Sequence, residues 1–176
     1  MNTGQTMVTI FAFLLVSTVL VSFYGLVART DDDIASGQDG ILATTIATSY
    51  MELAQGTAFD EVTSASDTAL ANTALLTPAG TLGTDSTFET DIDSFNDFDD
   101  FKGYSVSKVA GGTGRTYKTT FDVNYVNPDN LDQIVNYRTF VKRMDLKTWR
   151  TIPPPSETGE VDTLKTSLVM GYFHFD

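Results

Sequence analysis

The chain has 176 residues, enough for one compact domain, with a formal net charge of -12 at pH 7, a single His and no Cys. The missing thiols exclude disulfides, thiolate metal sites and cysteine nucleophiles. The acidic balance repels nucleic-acid phosphates and anionic lipid heads, and no basic cluster offers a phosphate footprint, so nucleic acid is not an expected partner.

No charged side chain precedes Arg29, which divides the chain into an uncharged apolar head and an acidic body. As a helix, residues 7–27 would span roughly 30 Å, the thickness of a bilayer's hydrocarbon core. A secretory signal peptide fits poorly: the apolar run is too long, a basic n-region is missing, and Val27-Ala28-Arg29 is a poor cleavage site. A membrane-spanning helix fits the length, yet it lacks the Lys or Arg flank that ordinarily sets orientation. Thr18, Ser22 and Gly25 share one helical face, and such small and hydroxyl residues favour close helix-helix approach in lipid. Beyond Asp31 there is no Pro as far as Asp60, and Ile34, Ile41, Leu42, Ile46, Tyr50 and Leu53 recur near the 3.6-residue period of an amphipathic helix. One continuous helix over residues 5–58, roughly 80 Å long, is therefore expected. It should bend where Gly25, Gly37, Gly40 and the run Asp31, Asp32, Asp33 weaken it. The alternative is a membrane-spanning helix followed by a separate helix of the soluble domain.

Residues 61–91 are rich in Thr, Ser, Ala and Gly, with turn signals at Pro78-Ala79-Gly80 and Leu82-Gly83-Thr84, and read as a surface excursion with at most short structure. Its hydroxyls could carry O-linked sugars in an extracellular protein; no Asn-x-Ser/Thr sequon occurs. Strand patterns begin at YSVSKVA, followed by the turn GGTG. Tyr117, Thr119, Phe121, Val123 and Tyr125 then alternate with polar residues as in a half-buried strand. NPDNLD is the next connection, and Val135, Tyr137, Thr139 and Val141 predict a third strand running to Met144 or Asp145, with Lys142 on its polar face. The prolines of TIPPPSETGE forbid regular pairing, and a last strand is predicted over residues 163–175. The sum is an α+β fold: a long N-terminal helix whose amphipathic half packs on an antiparallel β-meander of about four strands. Residues 1–58 form the helix, apolar over 1–28 and amphipathic over 29–58. Residues 59–103 form the Ser/Thr-rich loop and acidic segment, and residues 104–176 the sheet domain.

Two groups of residues invite chemistry. Asp91, Asp93, Asp97, Asp99 and Asp100 suggest a calcium site, since hard cations take several oxygen ligands. The spacing is not that of an EF-hand, because Phe95 and Asn96 stand where a ligand and the glycine belong. The competing reading is a solvated loop with Phe95, Phe98 and Phe101 packed inward. His174 is most simply a strand residue near an edge, without a Gly-x-Ser-x-Gly elbow, so no enzyme is expected. Trp149, Tyr172 and Phe173 are assigned to packing and exposed rims.

GQTMV at the head of the apolar helix, the acidic DIDSFNDFDDFKGYS segment and the meander after it together resemble the type IV pilins and the pseudopilins of type II secretion. The resemblance implies that a prepilin peptidase removes a short basic leader, leaving Met1, or Gln5 if cleavage follows Gly4, as the processed N-terminus. Such removal would explain the missing basic flank. The family usually carries a Glu at the fifth mature position, which neutralises a neighbour's terminal amine. Here Gln5 or Thr9 stands there, so a hydrogen bond would replace the ion pair, or the chain belongs to a divergent or archaeal-like branch.

By the same resemblance the protein is expected to be a structural subunit of an extracellular type IV pilus-like filament, held as a single-pass inner-membrane protein before assembly. Its partners would be other copies of itself, the pilus assembly machinery and the prepilin peptidase. Self-assembly would use Met7, Ile10, Phe11, Phe13, Leu14, Leu15, Val19, Leu20, Phe23 and Leu26. The alternative is a membrane-anchored pseudopilin or binding module of a secretion machine. No cofactor is expected apart from calcium, which some pseudopilins hold in a loop of this domain.

Overall fold

The computed structural model describes residues 2–64, 70–85, 87–154 and 162–173, with Asp32 described by its backbone alone. Its first element is one unbroken helix, α1 (Thr3–Gln55). The division into two helices is thereby set aside. The helix begins two residues earlier and ends three residues sooner than expected. Gly25, Gly37 and Gly40 do not interrupt it, and a Cβ built on any of them would meet nothing within 4 Å. At its end the backbone tightens, with Gly56 N donating to Leu53 O at 3.0 Å and Thr57 N to Ala54 O at 3.3 Å.

The chain forms two compact units, Met1–Ile41 and Leu42–Asp176. The first holds only the N-terminal part of α1. In the second, Ala43, Ile46, Tyr50 and Ala54 on the last turns of α1 pack against Phe121, Val123, Met144, Leu146 and Leu168 of the sheet. Tyr50 meets Phe121 edge-on at 5.5 Å between ring centres. Alanines at three of the buried helix positions, Ala43, Ala47 and Ala54, leave room for the sheet residues to approach the helix backbone closely. Ile46 and Tyr50 are buried and Leu42 is half-buried, as the period predicts, but Ile34, Ile41 and Leu53 stay exposed.

The sheet is antiparallel and five-stranded: β1 (Ser105–Ala110), β2 (Arg115–Asn127), β3 (Asn130–Ile134), β4 (Val141–Ile152) and β5 (Thr163–Gly171). The order is β1-β2-β4-β5, with the short β3 paired to the end of β2. Tyr117, Thr119, Phe121, Val123 and Tyr125 all point inward, as their alternation predicts. Thr119 and Thr148 share a buried hydroxyl hydrogen bond of 3.0 Å across β2 and β4. A short helix, α2 (Glu61–Ser64), follows α1, and 3-10 turns occupy Thr73–Leu75, Ile92–Ser94 and Asp99–Phe101.

The sequence reading needs three corrections. The third strand does not begin at Val135. NPDNLD contains the turn into β3, residues 135–140 carry no strand, and the long strand starts only at Val141. Thr139 bears on this locally: its hydroxyl lies within donating reach of Val141 O at 2.8 Å or Val126 O at 3.0 Å and accepts from Val141 N at 3.3 Å, so a side chain competes for groups that a continuing ladder would use. The inward face of β4 is also the opposite one, with Lys142, Met144, Leu146 and Thr148 buried and Val141 only half-buried. Lastly, the Ser/Thr-rich excursion is not wholly solvated, because Leu70, Leu76 and Leu82 join Phe59 and Tyr125 in a second core cluster. At the other end β5 stops at Gly171, where Tyr172 N donates to Phe140 O at 2.9 Å. His174 lies outside the described residues.

Candidate functional site

The first candidate is the surface of α1 itself. Met7, Ile10, Phe11, Phe13, Leu14, Leu15, Val19, Leu20, Phe23 and Leu26 are between 50% and 75% exposed, and Val8, Val16, Val21 and Tyr24 are exposed beside them. Apolar side chains thus cover the whole circumference, where a helix on the surface of a soluble domain would show one apolar stripe. Among the described residues this is the one helix long and apolar enough to cross a membrane, and none of its apolar window is buried. Four hydroxyls along it turn back onto their own helix. Thr9 Oγ1 donates to Gln5 O at 2.7 Å, Thr18 Oγ1 to Leu15 O at 2.8 Å, Ser22 Oγ to Thr18 O at 2.9 Å and Thr30 Oγ1 to Leu26 O at 3.0 Å. A hydroxyl satisfied in this way can enter an apolar environment without leaving a donor unpaired. Gln5 is exposed in the first turns of α1, and Met1 lies outside the described residues.

The second candidate is the acidic segment, which the fold divides. Asp91 and Asp93 are exposed, whereas Asp97, Asp99 and Asp100 are buried together with Phe95, Phe98 and Phe101. The phenylalanines point inward as expected, but the loop is not solvated. Its carboxylates serve its own backbone: Asp97 Oδ1 accepts from Asp99 N at 2.8 Å and Asp100 N at 3.2 Å, and Asp100 Oδ2 accepts from Asn96 N at 3.0 Å and Asp97 N at 3.2 Å. Asp91 accepts from the Tyr104 hydroxyl at 3.2 Å. The five aspartates therefore do not converge, and among the described residues no group of three or more His, Asp or Glu side chains is placed to hold a metal ion.

Of these buried carboxylates, Asp99 meets Lys142. The lysine side chain is fully buried, and Nζ donates to Phe59 O at 2.7 Å, to Asp60 Oδ2 at 2.9 Å and to Asp99 Oδ1. The rings of Phe59 and Tyr125 flank the ammonium at 4.7 and 5.4 Å from their centres. Asp60, also fully buried, accepts from Thr77 N at 3.0 Å and Thr77 Oγ1 at 3.1 Å, and the Tyr125 hydroxyl lies 3.3 Å away. One ammonium thus ties together the chain leaving α1, the acidic segment and β4, and through Asp60 the excursion at Thr77. The backbone reinforces the junction, with Ala58 N donating to Asn96 O at 3.0 Å and Phe98 N to Ala58 O at 2.9 Å.

Burial sets the electrostatics of this cluster. Burial first, and then the charges of Asp99 and Asp100, push the Asp97 carboxyl up to about 8. Burial raises Asp100 to about 6. It raises Asp99 as well, against the pull of the Lys142 charge. The Tyr125 hydroxyl is held well above its usual range by burial and by the neighbouring carboxylate of Asp60. Chemically the site offers a buried amine against two carboxyls, with a third carboxyl adjoining one of them.

Sequence reasoning found Asp99 but missed Lys142 and Asp60. The available signal was the strand VKRMDL, whose inward phase could be taken from Met144 and Leu146 instead of Val135 and Tyr137. No family model, no curated protein and no solved structure matches the chain.

Proposed function

We propose that this chain is a structural subunit that polymerises through its apolar N-terminal helix into an extracellular type IV pilus-like filament, after residing in the inner membrane as a single-pass protein. The observation that supports this reading best is the exposed apolar circumference over residues 7–27 of α1, with the hydroxyls of Thr9, Thr18 and Ser22 bonded back onto the helix. Lipid can cover such a helix before assembly, and several neighbouring copies can cover it afterwards. Removing apolar surface from water yields roughly 25 cal/mol per Å², so the helix is strongly driven into one of these environments. Repeating one heterologous contact without closure gives a helical polymer. The acidic surface of the body would keep such polymers apart in solution. Gln5 would offer an amide oxygen to a neighbour's terminal amine in place of a carboxylate. The reading requires no catalysis.

Negative-stain microscopy of sheared surface material, with mass spectrometry of the mature N-terminus, tests it. Filaments made of this chain, beginning without a basic leader, are the expected result. Detergent-soluble monomer alone, with an intact leader, would overturn the filament reading in favour of an anchored module.

A further inference from the structure

We propose that Lys142 and Asp99 condense within the folded domain into an intramolecular isopeptide bond, a self-catalysed modification in which Asp60 accepts the lysine proton and Asp97 activates the Asp99 carboxyl. The inference stands on the buried cluster alone and is independent of the filament reading.

Three features favour the reaction. First, the amine and the carboxyl are already in contact and fixed on separate elements, Lys142 on β4 and Asp99 in the 3-10 turn Asp99–Phe101. Holding two reacting groups together in this way replaces an encounter between separate molecules by an intramolecular step. Second, Lys142, Asp60 and Asp99 are all buried, and the rings of Phe59 and Tyr125 flank the ammonium. In water, condensation of an ammonium with a carboxylate is opposed by the hydration of both ions. A dry site has already removed that hydration, and the product is a neutral amide. Third, the two remaining carboxyls are differently equipped. Asp60 is held by Thr77 N and Thr77 Oγ1, with Nζ of Lys142 2.9 Å from its Oδ2, which suits a proton acceptor. Asp97 stands beside Asp99, its Oδ1 accepting from Asp99 N at 2.8 Å, and burial raises its carboxyl to about 8, which leaves it a proton to donate at neutral pH.

The steps balance. Lys142 gives one proton to Asp60, and the free amine attacks Cγ of Asp99 while Asp97 donates its proton to a carboxyl oxygen. The second proton leaving nitrogen and the proton held by Asp60 pass to the departing oxygen and return to Asp97. One carbon–oxygen bond breaks, one carbon–nitrogen bond forms, and one water leaves. Nothing is oxidised or reduced, and Asp60 and Asp97 finish as they began. Asp99 is the electrophile, since Asp60 is pinned as an acceptor by Thr77 and faces Tyr125. The bond would close a loop between residues 43 positions apart in the chain, fastening the acidic segment to the sheet.

Peptide mapping of the purified full-length chain in detergent, with intact-mass measurement, tests the proposal. The expected result is a mass lower by one water than the mature sequence requires, and a branched peptide joining the Asp99 and Lys142 segments. Lys142→Arg and Asp99→Ala should abolish both, and Asp60→Asn and Asp97→Asn should leave most of the chain unlinked. Wild-type protein at its full sequence mass without a branched peptide would overturn the proposal, and needs no variant to fold. So would a water loss confined to one linear peptide, as in a succinimide. A branch from Lys142 to Asp60 would overturn the assignment of Asp99.

Discussion

Residues 7–27 and 42–55 belong to the same helix and are both largely apolar, yet they solve opposite problems. The first stretch carries Phe, Leu, Val and Ile on every side and leaves all of them exposed. The second sets Ala43, Ala47 and Ala54 beside Ile46 and Tyr50 on one face, and that face is buried in the second unit. Small side chains on one face admit one flat neighbour at close range. Bulky side chains all round call for surroundings on every side, such as lipid or a bundle of helices. Apolarity alone therefore does not decide what a helix packs against; the angular distribution of side-chain volume does.

Substitution within the two stretches tests the contrast most directly. Tyr50→Ala should destabilise the second unit by about 3–5 kcal/mol, as truncation of a buried aromatic does, read as a lower denaturant midpoint. Phe13→Ala should leave that midpoint unchanged; an equal fall would break the comparison. A charge in the apolar stretch is the next largest effect. Leu15→Arg would place a guanidinium in the middle of the stretch long and apolar enough to cross a membrane, at about 2.5–3.5 kcal/mol if it does so. Membrane retention and filament yield should drop while the melting of the sheet domain does not. The same residue type at exposed Thr48 should change stability by no more than about 0.5 kcal/mol.

A pH series sharpens the comparison from another side, since only the buried stretch shares its core with titrating carboxyls. Asp97 and Asp100 are raised in the folded state, from 3.8 to about 8 and about 6. The folded state then binds more protons than the unfolded one between those limits. Stability should be fullest near pH 4 as far as these groups decide it, and fall as pH rises through 6 and then 8. Melting temperature against pH checks this, and Asp100→Asn should flatten the lower part of the slope. A melting temperature that rises with pH through this window in the wild type but not in the variant would contradict the assignment. The smallest effect is expected at Gly25, where a Cβ has open space in the single chain. Gly25→Ala should leave helicity in detergent unchanged or slightly higher, because Ala is the better helix former. If copies approach closely along the face of Thr18, Ser22 and Gly25, filament yield should fall nonetheless.

Much of this architecture is legible in the residues. The absence of Pro and charge over the first turns dictates a long apolar helix, and the alternation from Tyr117 to Tyr125 dictates both a strand and its inward face. The inward packing of Phe95, Phe98 and Phe101 is legible too, but the burial of the aspartates between them is not. These inferences succeed because the local periods of helix and strand are strong and consistent there. The stretch from Val135 to Lys142 is different, since Val135, Tyr137, Val141 and then Met144 and Leu146 fit two opposite phases. Shifting a strand pattern by one residue reverses every side chain, and only the side-chain hydrogen bonds of Thr139 and the pairing of β4 choose between them.

By itself, then, the sequence determined the long apolar helix, the strand from Tyr117 to Tyr125 and which surface of α1 must leave water. Tertiary structure alone decided that Lys142 lies inside. Its partners Asp60 and Asp99 stand 82 and 43 residues away along the chain. A lysine is stable in a core only where opposite charges meet it, and no local pattern can show that they do.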